Sequence, residues 1–144
     1  MVKKNVIVLF SVITLLVVIL DQISKYLITK FNPNYSLGFL TVHLTKNTGA
    51  GFGILQGYTL WLALISLIVT VVIIFSYQKI PQEKIDQVLF ALFLGGVIGN
   101  LIDRFFLGYV IDFIELSFWP AFNLADSAIT VAVGGLIWVY WKKS

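Results

Sequence analysis

Long apolar runs alternate with short polar clusters along this chain, and four of the runs approach the ~20 mostly apolar residues that a helix needs to cross a bilayer. Val6 to Leu20 carries only Ser11 and Thr14 as polar residues and continues through Ile23 to Ile28. Tyr58 to Tyr77 carries no charge, and Gln87 to Ile102 is apolar and glycine-rich, running on through Phe106. Leu124 to Trp141 holds one charge, Asp126, near its start. The segments between the runs follow other patterns. Leu40-Thr-Val-His-Leu-Thr45 alternates with the period of two of a half-buried strand. It leads into Asn47-Thr-Gly-Ala-Gly-Phe-Gly53, where Gly49, Gly51 and Gly53 would share the bare face of an extended segment. Phe105 to Phe122 is aromatic and apolar, with Trp119 and Pro120, and suits a segment lying in the membrane interface. The pattern predicts an all-α integral membrane protein of one membrane domain, with four transmembrane helices over residues 5–28, 58–77, 87–106 and 124–141. A small extracytoplasmic β element is expected in the loop 33–57 and an interfacial segment over 107–122.

Composition supports the membrane assignment and removes several chemistries. Hydrophobic residues make up 59% of the 144 and charged residues 12%, against about 25% charge in soluble domains. The mean hydropathy is +0.96, and a soluble domain of this length cannot hide so much apolar surface. Without cysteine there is no disulfide framework, thiolate zinc site, Fe–S cluster or cysteine nucleophile. His43 is the one histidine, which excludes multi-histidine metal centres and leaves Ser127, next to Asp126, without a partner for nucleophilic catalysis. No metal or cofactor is expected. A net charge of +3 with dispersed lysines gives no nucleic-acid footprint. Lys3 and Lys4 before an apolar run mimic a secretory signal, but no small-residue cleavage site follows, so the run is read as a span.

Charge placement orients the spans. With four of them both termini lie on one side, together with Lys3, Lys4, Lys79, Lys84, Lys142 and Lys143, which makes that side the cytoplasm. Asp21, Asp103, Asp112, Glu115 and Asp126 fall at the opposite face with Lys25, Lys30, Lys46 and Arg104. The cytoplasmic connection from Gln78 to Gln87, with Pro81, reads as a plain helix–helix connector.

A charge inside a span costs at least a few kcal/mol and needs a reason. Asp21 and Lys25, spaced i, i+4, share a helix face, as a local ion pair or in contact with a substrate. Gly96, Gly99, Asn100 and Asp103 form one helical stripe, and Gly95 and Gly99 a small-xxx-small pair that admits a neighbouring helix. Asn100, Asp103 and Arg104 then belong to a structural hydrogen-bond network or to a site. Asp112 lies among Val110, Ile111, Phe113 and Ile114 after Gly108, the expected end of the third helix, and this poor solvation should raise its pKa. Asp126 follows Asn123, a natural N-cap, at the third helical position, where the helix dipole favours its charge. One carboxylate pushed toward neutral and one held ionised is the arrangement of an aspartic protease, although a helix cap plus an interfacial acid would have the same spacing. His43 is read as a structural hydrogen-bonding residue, and Trp61, Trp119, Trp138 and Trp141 as interfacial belts or packing.

Five blocks of the chain, Asp21-Gln-Ile-Ser-Lys25, Asn47-Thr-Gly-Ala-Gly-Phe52, Gly95-Gly-Val-Ile-Gly-Asn-Leu-Ile-Asp-Arg104, Val110-Ile-Asp-Phe113 and Phe122-Asn-Leu-Ala-Asp-Ser-Ala128, occur in the order of the motifs of lipoprotein signal peptidase (signal peptidase II), which the chain resembles. Gly51 departs from the family pattern, standing where a slightly larger small residue is expected. The resemblance implies an intramembrane aspartic endopeptidase in the bacterial cytoplasmic membrane that removes the signal peptide from prolipoproteins, cutting before a diacylglyceryl-modified cysteine. It maps a catalytic pair onto Asp112 and Asp126 and site-lining or supporting positions onto Asn47, Gly49, Asn100, Arg104, Asn123 and Ala125. Asp21, Lys25 and Asp103 match positions of structural or substrate support. The implied partners are the prolipoprotein and membrane lipid, with no nucleic acid, and a monomer is expected. Two rivals from other classes are a small proton- or ion-coupled transporter using buried acids, and a non-catalytic subunit of a membrane assembly. A transporter places its charges near the midplane within a repeat; here they gather at one face.

Overall fold

The computed structural model describes residues 4–50 and 54–144. Four helices and a four-stranded sheet follow in the order α1 (Lys4–Phe31), β1 (Asn34–Leu37), β2 (Leu40–Asn47), α2 (Thr59–Phe75), α3 (Lys84–Phe106), β3 (Val110–Leu116), β4 (Trp119–Phe122) and α4 (Leu124–Lys143). Three helices, α1, α3 and α4, are long and apolar enough to cross a membrane. Helix α2 has 17 residues, about 26 Å of rise against a hydrocarbon core of about 30 Å, so the expected fourth span is a shorter apolar helix. It gives way to a 3-10 turn at Tyr77–Lys79 rather than continuing to Tyr77 as helix.

Helix α3 is the centre of the bundle, packed by α1, α2 and α4. Its glycines explain how. A Cβ on Gly95 would stand 2.7 Å from Val17 Cβ, one on Gly96 2.5 Å from the Ala125 carbonyl, and one on Gly99 2.6 Å from Asp21 Oδ2. The small-residue stripe therefore seats α1 on one side and α4 on the other, at distances no side chain permits. Helix α1, by contrast, turns Leu15, Leu16, Ile19 and Leu20 outward, at least half exposed, as a lipid-facing surface requires.

The sheet is antiparallel in the order β1-β2-β3-β4. The half-buried strand expected at Leu40–Thr45 is β2, which runs to Asn47 and pairs with β1 across a two-residue turn opened by Gly38 at φ +62°. Helix α3 ends as expected, with Gly108 at φ +77° just past its last residues. The segment 107–122, expected to lie in the membrane interface, forms a hairpin that completes this sheet: Val110, Ile111 and Phe113 supply buried β-prone side chains. Pro120 sits in the edge strand β4, where a missing N–H is tolerated. The sheet is thus larger than the small element that the alternating pattern predicts, because half of it comes from a region without strict alternation.

At the other end of α3, Asp86 and Gln87 are fully buried. Gln87 accepts from the Tyr77 hydroxyl at 2.8 Å and donates to the Pro81 carbonyl at 2.9 Å, while Lys143 Nζ reaches Asp86 at 3.4 Å and Glu83 at 3.1 Å. The connector read as plain is a packed polar cluster that ties α3 to the end of α4.

Candidate active site

Asp112 lies on β3 with only 1% of its surface exposed. Asn47 Nδ2 donates to its Oδ2 at 2.9 Å and Asn123 Nδ2 to its Oδ1 at 2.8 Å. Burial, reinforced by the neighbouring charge of Asp126, pushes the carboxyl up to about 7, against the opposing pull of the two amide donors.

Asn47 reaches Asp112 because of an irregularity in β2. Leu40 and Val42 stand opposite Leu116 and Ile114, but from Thr45 onward the register slips by one, so that Thr45 faces Asp112 and Asn47 faces Val110. His43 and Leu44 together oppose Phe113, which is a β-bulge. Directly opposed residues share a face, so the bulge moves β2's odd-numbered residues onto the face of Asp112. Without it Asn47 would share its face with Thr41 and His43. His43 itself is at the bulge, 2.9 Å from Thr45 Oγ1 and 3.4 Å from Glu115, a structural role.

Asp126 is fixed by the start of α4. Its N–H donates to Asn123 Oδ1 at 2.9 Å and its Oδ2 accepts from the Asn123 N–H at 3.3 Å, a complete capping box. Asn100 Nδ2 donates to its other oxygen at 2.8 Å. Asn123 therefore touches both carboxylates, one through its side chain and one through its cap. Arg104, attracted by Asp126, Asp112 and Asp103, donates from Nη2 to the Gly49 carbonyl at 3.3 Å.

Behind this pair lies a second layer of charge. Lys25, 2% exposed, bonds Asp21 at 2.7 Å, Asp103 at 3.0 Å and Asn100 Oδ1 at 3.1 Å. Asp21 Oδ1 accepts from the Ala125 N–H at 2.9 Å, and Asp103 Oδ2 from the Ile111 N–H at 3.0 Å. The Asp21–Lys25 pair is thus a buried ion pair holding the start of α4, without a face on the cleft, and Ala125 is fully buried beneath it. Gln22 escapes the sequence reading but belongs here: its amide reaches Asp21, the Gly99 carbonyl and Asp103 within 3.2 Å. A lone amide next to an aspartate in a span was the available signal.

Two recesses open beside the carboxylates. One, of ≈ 200 Å³, is lined by Asn47, Arg104, Trp119, Pro120 and Asp126. The other, of ≈ 430 Å³, is mostly apolar, with Leu116, Phe118, Trp119, Phe122 and Val131 around Asp126. Of the sequence candidates, Asn47, Arg104 and Asp126 line the first recess, while Asp112, Asn100 and Asn123 are packed behind it. Of the expected glycine-faced extended segment, the described part, residues 48–50, is bent rather than extended. The chain folds back after Asn47, with the Ala50 N–H on the Ile54 carbonyl at 2.7 Å and the Thr59 hydroxyl on the Thr48 carbonyl at 2.7 Å. Gly49 is needed there because a Cβ would meet the Ile54 carbonyl oxygen at 2.5 Å. Gly51 and Gly53 lie outside the described residues.

The family model for signal peptidase (SPase) II matches residues 13–142. A lipoprotein signal peptidase of Moorella thermoacetica is 44% identical over 135 residues, covering 90% of both chains. One from Caldanaerobacter subterraneus subsp. tengcongensis is 47% identical over 126 residues, 83% of this chain and 87% of its own. A bacterial membrane enzyme solved by the in meso method at 2.3 Å superposes with a TM-score of 0.85 at 31% identity, over 92% of this chain and 87% of that one. With a match across nearly its whole length, this multi-pass membrane protein belongs to the signal peptidase II family and is a peptidase.

Proposed function

We propose that the chain is an intramembrane aspartic endopeptidase that removes signal peptides from diacylglyceryl-modified prolipoproteins, cutting before the modified cysteine. The observation that carries this reading is the pairing of Asp112 and Asp126 across Asn123, with one carboxyl pushed up to about 7 by burial and the other held in a capping box. Asp126 is the ionised partner, favoured by two donors and the start of α4. Asp112 is the protonated one.

In the reaction Asp126 takes a proton from a water as its oxygen bonds to the scissile carbonyl carbon, and Asp112 gives its proton to the carbonyl oxygen. Collapse of the tetrahedral intermediate breaks the C–N bond as Asp126 passes its proton to the leaving amine and Asp112 takes one back from a hydroxyl of the intermediate. The recess lined by Arg104 and Asn47 suits an extended peptide, and the apolar one beside Asp126 suits acyl chains. The relatives named lipoprotein signal peptidase support that substrate. The lysine distribution supports a bacterial cytoplasmic-membrane location with both termini cytoplasmic and the aspartates at the outer face.

The test is to incubate purified protein with a diacylglyceryl-modified precursor and with the same precursor unmodified, and to weigh the products. Cleavage of the modified one alone, before its cysteine, is expected. Equal cleavage of both removes the lipid specificity, and cleavage of neither removes the reading.

A further inference from the structure

Lys25 has a position that a simple ion pair does not require. Its ammonium is held by Asp21 at 2.7 Å and Asp103 at 3.0 Å, yet it also donates to Asn100 Oδ1 at 3.1 Å. An ammonium has only donors, so the Asn100 atom facing it must be the carbonyl oxygen. Asn123 Nδ2 donates to the same oxygen at 3.0 Å. The Asn100 amide can then turn only its Nδ2 to Asp126, where it donates at 2.8 Å. At 2% exposure Lys25 cannot touch a substrate.

Resting on the aspartic-pair reading above, we infer that Lys25 is a positioning residue of the reaction: it fixes the orientation of the Asn100 amide and so keeps an N–H donor on Asp126. Removing Lys25 frees one of the two restraints on Asn100 Oδ1, and a turned amide would present oxygen to the carboxylate. The charged groups around Asp126 are Arg104 and Asp103 from α3, Asp112 from β3, and Asp21 and Lys25 from α1. The field of Lys25 also acts on Asp112. A test must therefore separate the route through Asn100 from the loss of a charge.

The variant is D21N/K25M, which keeps the net charge of the buried triad and leaves an oxygen for the Ala125 N–H. The readout is the pH profile of kcat. The lower limb, which reports the ionised partner, should move up by about half a unit or more, with kcat at the optimum lowered several-fold. Gln22→Leu, which disturbs the same α1–α3 layer without touching Asn100, should lower Tm and leave the limb in place. In an Asn100→Leu background the D21N/K25M change should no longer move the limb, because the two act in series. An unshifted limb in D21N/K25M, or a shift equally large in the Asn100→Leu background, overturns the inference. Should D21N/K25M fail to fold, the wild type decides. With 15N-asparagine labelling, the Asn100 side-chain resonance, assigned with Asn100→Leu, should titrate with the lower limb and keep that titration in Lys25→Arg. A resonance that ignores the limb, or loses its response in folded Lys25→Arg, also overturns the inference.

Discussion

The two ends of α3 bury the same pair of residue types, an aspartate and an amide, to different ends. At the C-terminal end, the outer one in the orientation proposed above, Asn100 and Asp103 are bonded to α1, β3 and α4, and Asn100 reaches a second carboxylate at the rim of a cleft. At the inner end Asp86 and Gln87 bond to nearby turns and to the exposed Lys143, and Asp86 Oδ1 has no partner among the described residues. Burial of an acid in a membrane protein is thus no sufficient mark of chemistry. What distinguishes the outer end is that two carboxylates from different elements share Asn123 beside an open recess.

The largest expected effect breaks that distinction directly. Asp112→Asn and Asp126→Asn should each lower cleavage by roughly 10³-fold or more, as loss of a general acid or base does, with an inserted, folded protein. Asp86→Asn should stay within about threefold of wild type. Comparable losses in all three, measured as kcat/KM on the lipid-modified precursor, would make the two ends equivalent and sink the assignment.

The bulge in β2 gives a second, smaller test. Deleting Leu44 removes the bulge but leaves Thr45 opposite Asp112 and Asn47 opposite Val110, so Asn47 keeps its face. It should stay within about threefold of wild type, whereas Asn47→Ala leaves a buried carboxyl oxygen without its donor at a cost of about 1–3 kcal/mol, or roughly five- to a hundredfold in rate. A deletion as damaging as Asn47→Ala would show that the bulge does more for the site than set the face of Asn47.

This bulge also marks where the sequence was readable and where it was not. The period of two located β2, but unbroken alternation assigns Asn47 to the face of Thr41, away from Asp112; only the pairing with β3 reveals the slip. The capping of Asp126 by Asn123 was legible because a cap is a local pattern, and the glycine stripe because a helix repeats. The burial of Asp112 was legible from its apolar neighbours. The β3–β4 hairpin was not, since its inward residues do not alternate with polar ones. The role of Gln22 and the Asp86 cluster depend on contacts between helices far apart in the chain, which no window of sequence contains.

A pH series separates the two ends by a smaller margin. The Asp112 carboxyl rises from 3.8 to about 7 on folding. Between those values the folded protein holds a proton that the unfolded chain has lost, so this group's contribution to stability is present at low pH and is lost as pH rises through about 7. Cleavage should fall on the same upper limb, as the proton that Asp112 donates is lost. Asp112→Asn lacks the titrating group, so the Tm difference between wild type and this variant should shift against wild type from pH 4.5 to 7.5. A difference that stays constant over that range would mean that Asp112 is not the group held protonated.

The smallest effect is expected for stability at the inner end. Asp103→Asn leaves Lys25 buried with a weakened partner and disturbs the Ile111 contact, and breaking a buried pair costs about 3–5 kcal/mol. Asp86→Asn leaves behind Lys143, whose side chain is 43% exposed and is solvated without its partner, and Tyr140, itself well exposed. Its cost should be within about 1 kcal/mol, the range of exposed pairs. Thermal unfolding in detergent at one pH checks both. If Asp86→Asn were as destabilising as Asp103→Asn, the inner cluster would be a structural equal of the outer one, and only the second carboxylate at the cleft would still separate them.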